Sequence, residues 1–149
     1  MKRRVLIAAV LLAAAAGGAF AQNPDEALTA IGALGGACMY TTYLSIGAIA
    51  DGHYYEVYDD ETAISLMSEL MNMASSAAGS LASLVKTGTL TPEDFGFVNE
   101  IITTLGLLSR QAETFRSYVE GGDESQATLY DSYRNNAWAK ISELLEIGE

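Results

Sequence analysis

The sequence has few of the residues that metal sites, disulfides and nucleophilic catalysis require. It contains one cysteine, Cys38, and one histidine, His53. A single cysteine excludes an intramolecular disulfide, and a zinc or copper site built from several imidazole or sulfur ligands is not expected. The haem-attachment and calcium-loop signatures are also absent, and no serine has an identifiable partner base. We therefore predict a protein that is not an enzyme and has no metal or cofactor.

Proline and positive charge are also scarce. The only two prolines, Pro24 and Pro92, stand at predicted helix starts, so neither interrupts a helix. Eight basic residues face 19 acidic ones in the whole chain, a net charge of −11. Three of the basic residues are among the first four of the chain. Because nucleic acids and anionic lipids select clustered Lys and Arg, we expect no nucleic-acid partner.

The N-terminus has the three parts of a secretory signal. After the basic start, residues 5–16 form an unbroken apolar run, and Ala19 and Ala21 supply the small residues that a signal peptidase reads. We expect residues 1–21 to be a cleavable signal peptide and residues 22–149 to be a single domain that is exported to the periplasm or secreted. Without the signal, five basic residues remain against 19 acidic ones, which makes the exported domain strongly acidic at −14.

Capping signals divide the exported part into four helical segments. Residues that cap helices, followed by acids or proline, mark the starts at residues 23–26, 59–61, 91–94 and 123–126. Glycines mark the ends near residues 52, 88, 121 and 148. Residues 53–58 have a strand-like composition but no partner strand, so they are interpreted as a helix end and a connection. Short connections make neighbouring helices antiparallel, and the fold predicted is an all-α, up-down four-helix bundle.

The later segments have apolar seams with helical spacing. In the third segment the seam is Val98, Ile101, Leu105, Leu108, Ala112, Phe115 and Val119. In the second it is Ile64, Met67, Met71, Ala74, Ala78, Leu81 and Val85. The seam of the fourth segment is interrupted by Arg134. Steps of three and four residues place each seam on one helix face, as bundle packing requires.

The first mature helix is unusual because residues 27–50 contain no charge. One stripe is typical of a core face: Ile31, Leu34, Cys38, Thr42, Ile46 and Ile49. Another face has mainly glycine, alanine and tyrosine: Ala33, Gly36, Tyr40, Tyr43, Gly47, Ala50 and Tyr54. Three interpretations remain open. The helix is packed by neighbours on both sides, it presents an uncovered partner-binding surface, or it anchors the protein by spanning a membrane.

The fourth segment offers a second candidate site. Arg134 lies four residues before Trp138 and three after Asp131, so local stacking and ion pairing are expected on one helix face. Alternatively, Arg134 lies in a groove lined by aromatic residues and binds a small anion. The residues of this ligand-binding hypothesis are Tyr130, Tyr133, Arg134 and Trp138.

These observations lead to one expected function and two alternatives. The expected function is protein–protein interaction or self-association, as a homodimer or with another protein, by an exported, non-catalytic bundle. Its contact residues would be Gly36, Tyr40, Tyr43, Gly47 and Tyr54. The alternatives are a periplasmic bundle that binds a small ligand and an envelope protein anchored by residues 27–50.

Overall fold

The computed structural model describes residues 24–147, with side chains from residue 28 onward. Within that range the chain has no strand and forms four helices, α1 (Pro24–Tyr54), α2 (Asp60–Val85), α3 (Pro92–Gly121) and α4 (Glu124–Leu145). The all-α prediction is confirmed. The signal peptide and its cleavage site lie outside the described residues. Contacts divide the chain after Leu34, and the description below concerns the unit that begins at Gly35.

Three of the helices begin at the capping residues found in the sequence. The side chains of Asp59, Thr91 and Asp123 accept hydrogen bonds from backbone N–H groups two or three residues later, at N···O distances of 2.8, 3.2 and 2.9 Å. Each bond satisfies a backbone donor that has no partner within its helix. After α3, Gly122 adopts a left-handed conformation with φ of 67°, which glycine tolerates without strain.

The caps of α2 and α4 give stability a dependence on pH. Hydrogen bonds from Thr62 to Asp59 and from Ser125 to Asp123 hold the pKa of both carboxyls below the usual 3.8. Since the folded-state pKa is depressed, the stabilisation is fully present above 3.8 and is lost as the pH falls through the lower, folded-state value.

We expect the melting temperature of the native protein to fall more steeply below about pH 4 than that of an Asp59→Asn/Asp123→Asn double variant. Asparagine also caps helices but does not titrate in this range, so the variant keeps the caps without their acid sensitivity. Thermal melts followed by circular dichroism from pH 7 to pH 2 test this. Parallel pH profiles for the two proteins would contradict it.

Helix α3 supplies the largest part of the core. Its buried residues are Val98, Ile101, Thr104, Leu105, Leu108, Gln111, Ala112, Thr114 and Phe115. They include every residue of the predicted seam except Val119, which is half-buried. Helix α2 buries Ala63, Met67 and Ala74, and α4 buries Tyr130, Ala137 and Ile141. The third segment is therefore the helix around which the others pack.

Direct contacts identify the neighbours of α3. It packs against α2, where the hydroxyls of Ser75 and Ser109 lie 3.1 Å apart. It packs against α4 through an ion pair between Glu100 and Lys140. In α1, a Cβ added at Gly35 would lie 3.1 Å from the side chain of Ile101, so a glycine allows this close approach of α1 to α3.

Candidate functional site

Part of the glycine- and tyrosine-bearing face of α1 is covered by α4. Gly36 and Gly47 are both buried. A Cβ added at Gly36 would lie 2.6 Å from Cδ2 of Leu145, and one added at Gly47 would lie 3.7 Å from a terminal nitrogen of Arg134. Of the three interpretations of α1, packing by a neighbouring helix therefore applies at these two glycines, and at Gly36 the missing side chain leaves room for Leu145.

The aromatic residues of the two candidate sites meet between α1 and α4. The ring of Trp138 lies 5.3 Å from that of Tyr43 and 6.5 Å from that of Tyr40, measured between centroids. Tyr43 is half-buried, whereas Tyr40 keeps an exposed edge. Tyr54 lies beyond this contact and is 78% exposed. The face that the sequence offered as a docking surface is thus in part an internal contact with α4, and its Tyr40 and Tyr54 stay exposed.

Arg134 interacts across the helix interface. Its guanidinium carbon lies 5.9 Å from the centroid of the Tyr43 ring. The expected stacking on Trp138 and ion pair with Asp131 do not occur within residues 24–147. The Tyr43 hydroxyl raises the pKa of Arg134, and the nearby Tyr130 and Asp51 raise it further, so the group stays charged.

A cleft of about 940 Å³ opens beside the turn that joins α1 to α2. Its aromatic lining is Tyr54, Tyr58, Phe115, Tyr118 and Tyr130. Its carboxylates are Asp51, Glu56, Asp59, Asp60, Glu61 and Asp131. Of the predicted ligand-binding residues, Tyr130 and Arg134 line this cleft, whereas Tyr133 and Trp138 do not. Tyr54, predicted as a partner-binding residue, lies at the same cleft.

Two carboxylates of the cleft have structural partners. Asp59 caps α2, and Asp60 lies 2.8 Å from Nε2 of His53. The His53 ring also meets the ring of Phe115 edge-on, with centroids 5.6 Å apart. This imidazole therefore ties the end of α1 to the start of α2 and contacts α3. The carboxylate partner of His53 is Asp60, and not Asp51, which is closer to the histidine in sequence.

Tyr130 forms an inner wall of the cleft. It is 8% exposed, and its hydroxyl has no hydrogen-bond partner among the described residues. Burial raises the pKa of this phenol, while the neighbouring Gln111 and the positive charge of Arg134 act in the opposite direction. The ring of Tyr130 lies 5.6 Å from that of Phe115, so aromatic surface continues along this wall.

The apolar length of α1 has to be considered beside the cleft. Residues Leu28–Tyr54 are long and apolar enough to cross a membrane, and they are the only such segment in the described part of the chain. A third of the tested window is buried within the protein. Core helices and signal sequences can have the same length and composition, so this property alone does not assign α1 to a membrane.

The groups in the cleft are suited to binding. It presents aromatic rings, carboxylates and one guanidinium. Within residues 24–147, no three His, Cys, Asp or Glu side chains converge closely enough to hold a metal ion. Two signals could have pointed to the cleft from the sequence, the tyrosine-rich stretch at residues 54–58 and the acids that follow it. Comparison with protein families, curated proteins and solved structures gave no match.

Proposed function

We propose that this protein is an exported, non-catalytic helical bundle that binds a small ligand in the cleft beside the α1–α2 turn. The observation that carries the proposal is the cleft itself. Its volume of about 940 Å³ falls in the range typical of small-molecule sites. Buried aromatic surface at Phe115 and Tyr130 lies next to charged groups at Arg134 and Asp51, a combination that gives both affinity and orientation.

An up-down arrangement of the four helices accounts for the position of the cleft. Contacts between α3 and α4, and between α1 and α4, pair early residues of one helix with late residues of the other, as antiparallel packing requires. The pairs are Glu100–Lys140, Phe115–Tyr130, Gly36–Leu145 and Gly47–Arg134. In this arrangement the α1–α2 and α3–α4 connections lie at the same end of the bundle, where the cleft opens.

Export is supported by the N-terminal pattern of basic start, apolar run and small residues before position 22. Interaction through the first helix has less support than ligand binding, because side chains of α4 already lie against Gly36 and Gly47. A homodimer would have to use the exposed residues that remain, such as Tyr40 and Tyr54.

A thermal-shift screen against small metabolites tests the proposal. A saturating ligand, at about 100 times its Kd, adds about 2.7 kcal/mol to stability, which corresponds to roughly 5–10 °C for a domain of this size. We expect such a compound to stabilise the native protein and an Ala139→Trp control, in which the new ring is exposed on α4 outside the cleft.

The same compound is expected to have no effect on Ala127→Trp, because residue 127 lines the cleft and the new ring fills it. A screen without any stabilising compound, or one in which Ala127→Trp responds as strongly as the native protein, would contradict the proposed function.

A further inference from the structure

We propose that the ligand of the cleft is a small organic cation, an amine or quaternary ammonium with an apolar body. This inference rests on the proposed function and names the ligand class for the same site. Six carboxylates line the cleft against one guanidinium. Even with His53 protonated, negative charge is in excess, and the whole chain carries a net charge of −11. A cleft with an excess of one sign concentrates ligands of the opposite sign.

Four of these carboxylates are available to a ligand. The side chains of Asp51, Glu56, Glu61 and Asp131 form no hydrogen bond or ion pair in the described part of the chain, and all four are exposed. They are not held by a cap or by a histidine, as Asp59 and Asp60 are. Their charge is therefore not neutralised by a direct partner within the described protein.

Arg134 does not make the cleft a site for anions. Its guanidinium already lies over the ring of Tyr43. An anion bound to Arg134 would have to approach Asp51 and Asp131, which line the same cleft. The alternative hypothesis of an anionic ligand, drawn from the sequence, rested on Arg134 and neighbouring tyrosines alone. The structure adds the surrounding carboxylates, and they favour the opposite charge.

The inner wall suits the body of an organic cation. The faces of aromatic rings attract cations, and Phe115, Tyr118 and Tyr130 all line the cleft. Because the hydroxyl oxygen of Tyr130 is itself buried, the surface that this residue presents to the cleft is that of its ring. The carboxylates do not converge as a metal ion requires, which favours an extended organic cation.

Isothermal titration calorimetry on the purified chain tests the ligand class with small probes of different charge. The cations are benzyltrimethylammonium, choline and spermidine, and the comparison compounds are benzoate and benzyl alcohol. We expect at least one cation to bind at least tenfold more tightly than benzoate, with an affinity that falls as the salt concentration rises.

Asp51→Asn and Asp131→Asn are each expected to weaken cation binding about three- to tenfold. Glu69→Gln, an exposed change on α2 outside the cleft, is the matched control and should have no effect.

Arg134→Gln gives an effect of opposite sign for the two ligand classes. Removing a positive charge is expected to tighten cation binding by about threefold, whereas an anion site would lose affinity. The cation proposal is overturned if benzoate binds more tightly than the cations. It is also overturned if the native protein and both aspartate variants bind the cations with equal affinity. In either case the cleft remains a binding site. If no probe binds in a manner that Ala127→Trp abolishes, the cation proposal fails, and the thermal-shift screen decides separately whether the cleft binds another ligand.

Discussion

Leu108→Ala is expected to lower the free energy of unfolding by about 2–5 kcal/mol. Leu108 is 0% exposed and belongs to the core cluster that joins α3 to its neighbours. Alanine has at least the helix propensity of leucine, so the loss comes from packing and from the cavity left behind. Chemical denaturation followed by circular dichroism measures it.

Leu129→Ala is the matched control for this truncation. It removes the same atoms from α4, but Leu129 is 42% exposed, so the expected cost is below about 1 kcal/mol. A similar cost for both variants would mean that α3 is not the centre of the core. The cleft would then lack a rigid inner wall, because Phe115 reaches it from the same helix.

The position of α3 in the core could be predicted from the sequence because the information is local. Thr91 and Pro92 specify the helix start, and the repeat of apolar residues from Val98 to Phe115 specifies the buried face. The starts of α2 and α4 at Asp59 and Asp123 were predictable for the same reason. Each of these signals depends on residues within a few positions of one another.

The buried faces of α1 could not be predicted in this way. A helix without charged residues has no polar face to mark its solvent side, so two stripes competed for burial. From Gly35 onward, the structure buries residues of both stripes. Thr42 and Ile46 are buried from the first stripe, and Gly36 and Gly47 from the second. The choice depends on α4, whose contacts with α1 join residues about 90 or more positions apart, as between Gly47 and Arg134.

The candidate site was predicted in part. Tyr130 and Arg134 were identified because a lone cation in an apolar seam is conspicuous, and both line the cleft. The partner of Arg134 was missed, since spacing along α4 favoured Trp138 whereas tertiary packing supplies Tyr43. Asp59, Asp60 and Glu61 were interpreted as helix-start acids, which is correct, because Asp59 caps α2 and the other two lie in its first turn. Only the assembled fold shows that they share a cleft with Tyr130.

Gln111→Met is expected to raise the free energy of unfolding by about 1–3 kcal/mol, because it removes a buried amide without partners. Gln111 is 0% exposed, and its side-chain oxygen and nitrogen form no hydrogen bond of standard geometry among the described residues, although the amide lies near the Tyr130 hydroxyl. Methionine has a similar length and adapts to irregular gaps, so the core stays filled. The denaturation experiment used for Leu108→Ala gives the change.

Two threonine variants separate the effect of an unpaired polar group from a general gain in apolarity. Thr42 and Thr104 are equally buried, but the Thr42 hydroxyl has no partner among the described residues, whereas the Thr104 hydroxyl donates to the Glu100 carbonyl at 2.8 Å. Thr42→Val is therefore expected to stabilise the protein and Thr104→Val is not.

A loss of stability in both Gln111→Met and Thr42→Val would show that these groups are hydrogen-bonded in solution. Stabilisation by both variants would instead mean that buried polar groups lower the stability of the native core. One of these groups, Gln111, lies beside Tyr130 at the cleft, and proteins retain such groups where binding takes precedence over stability.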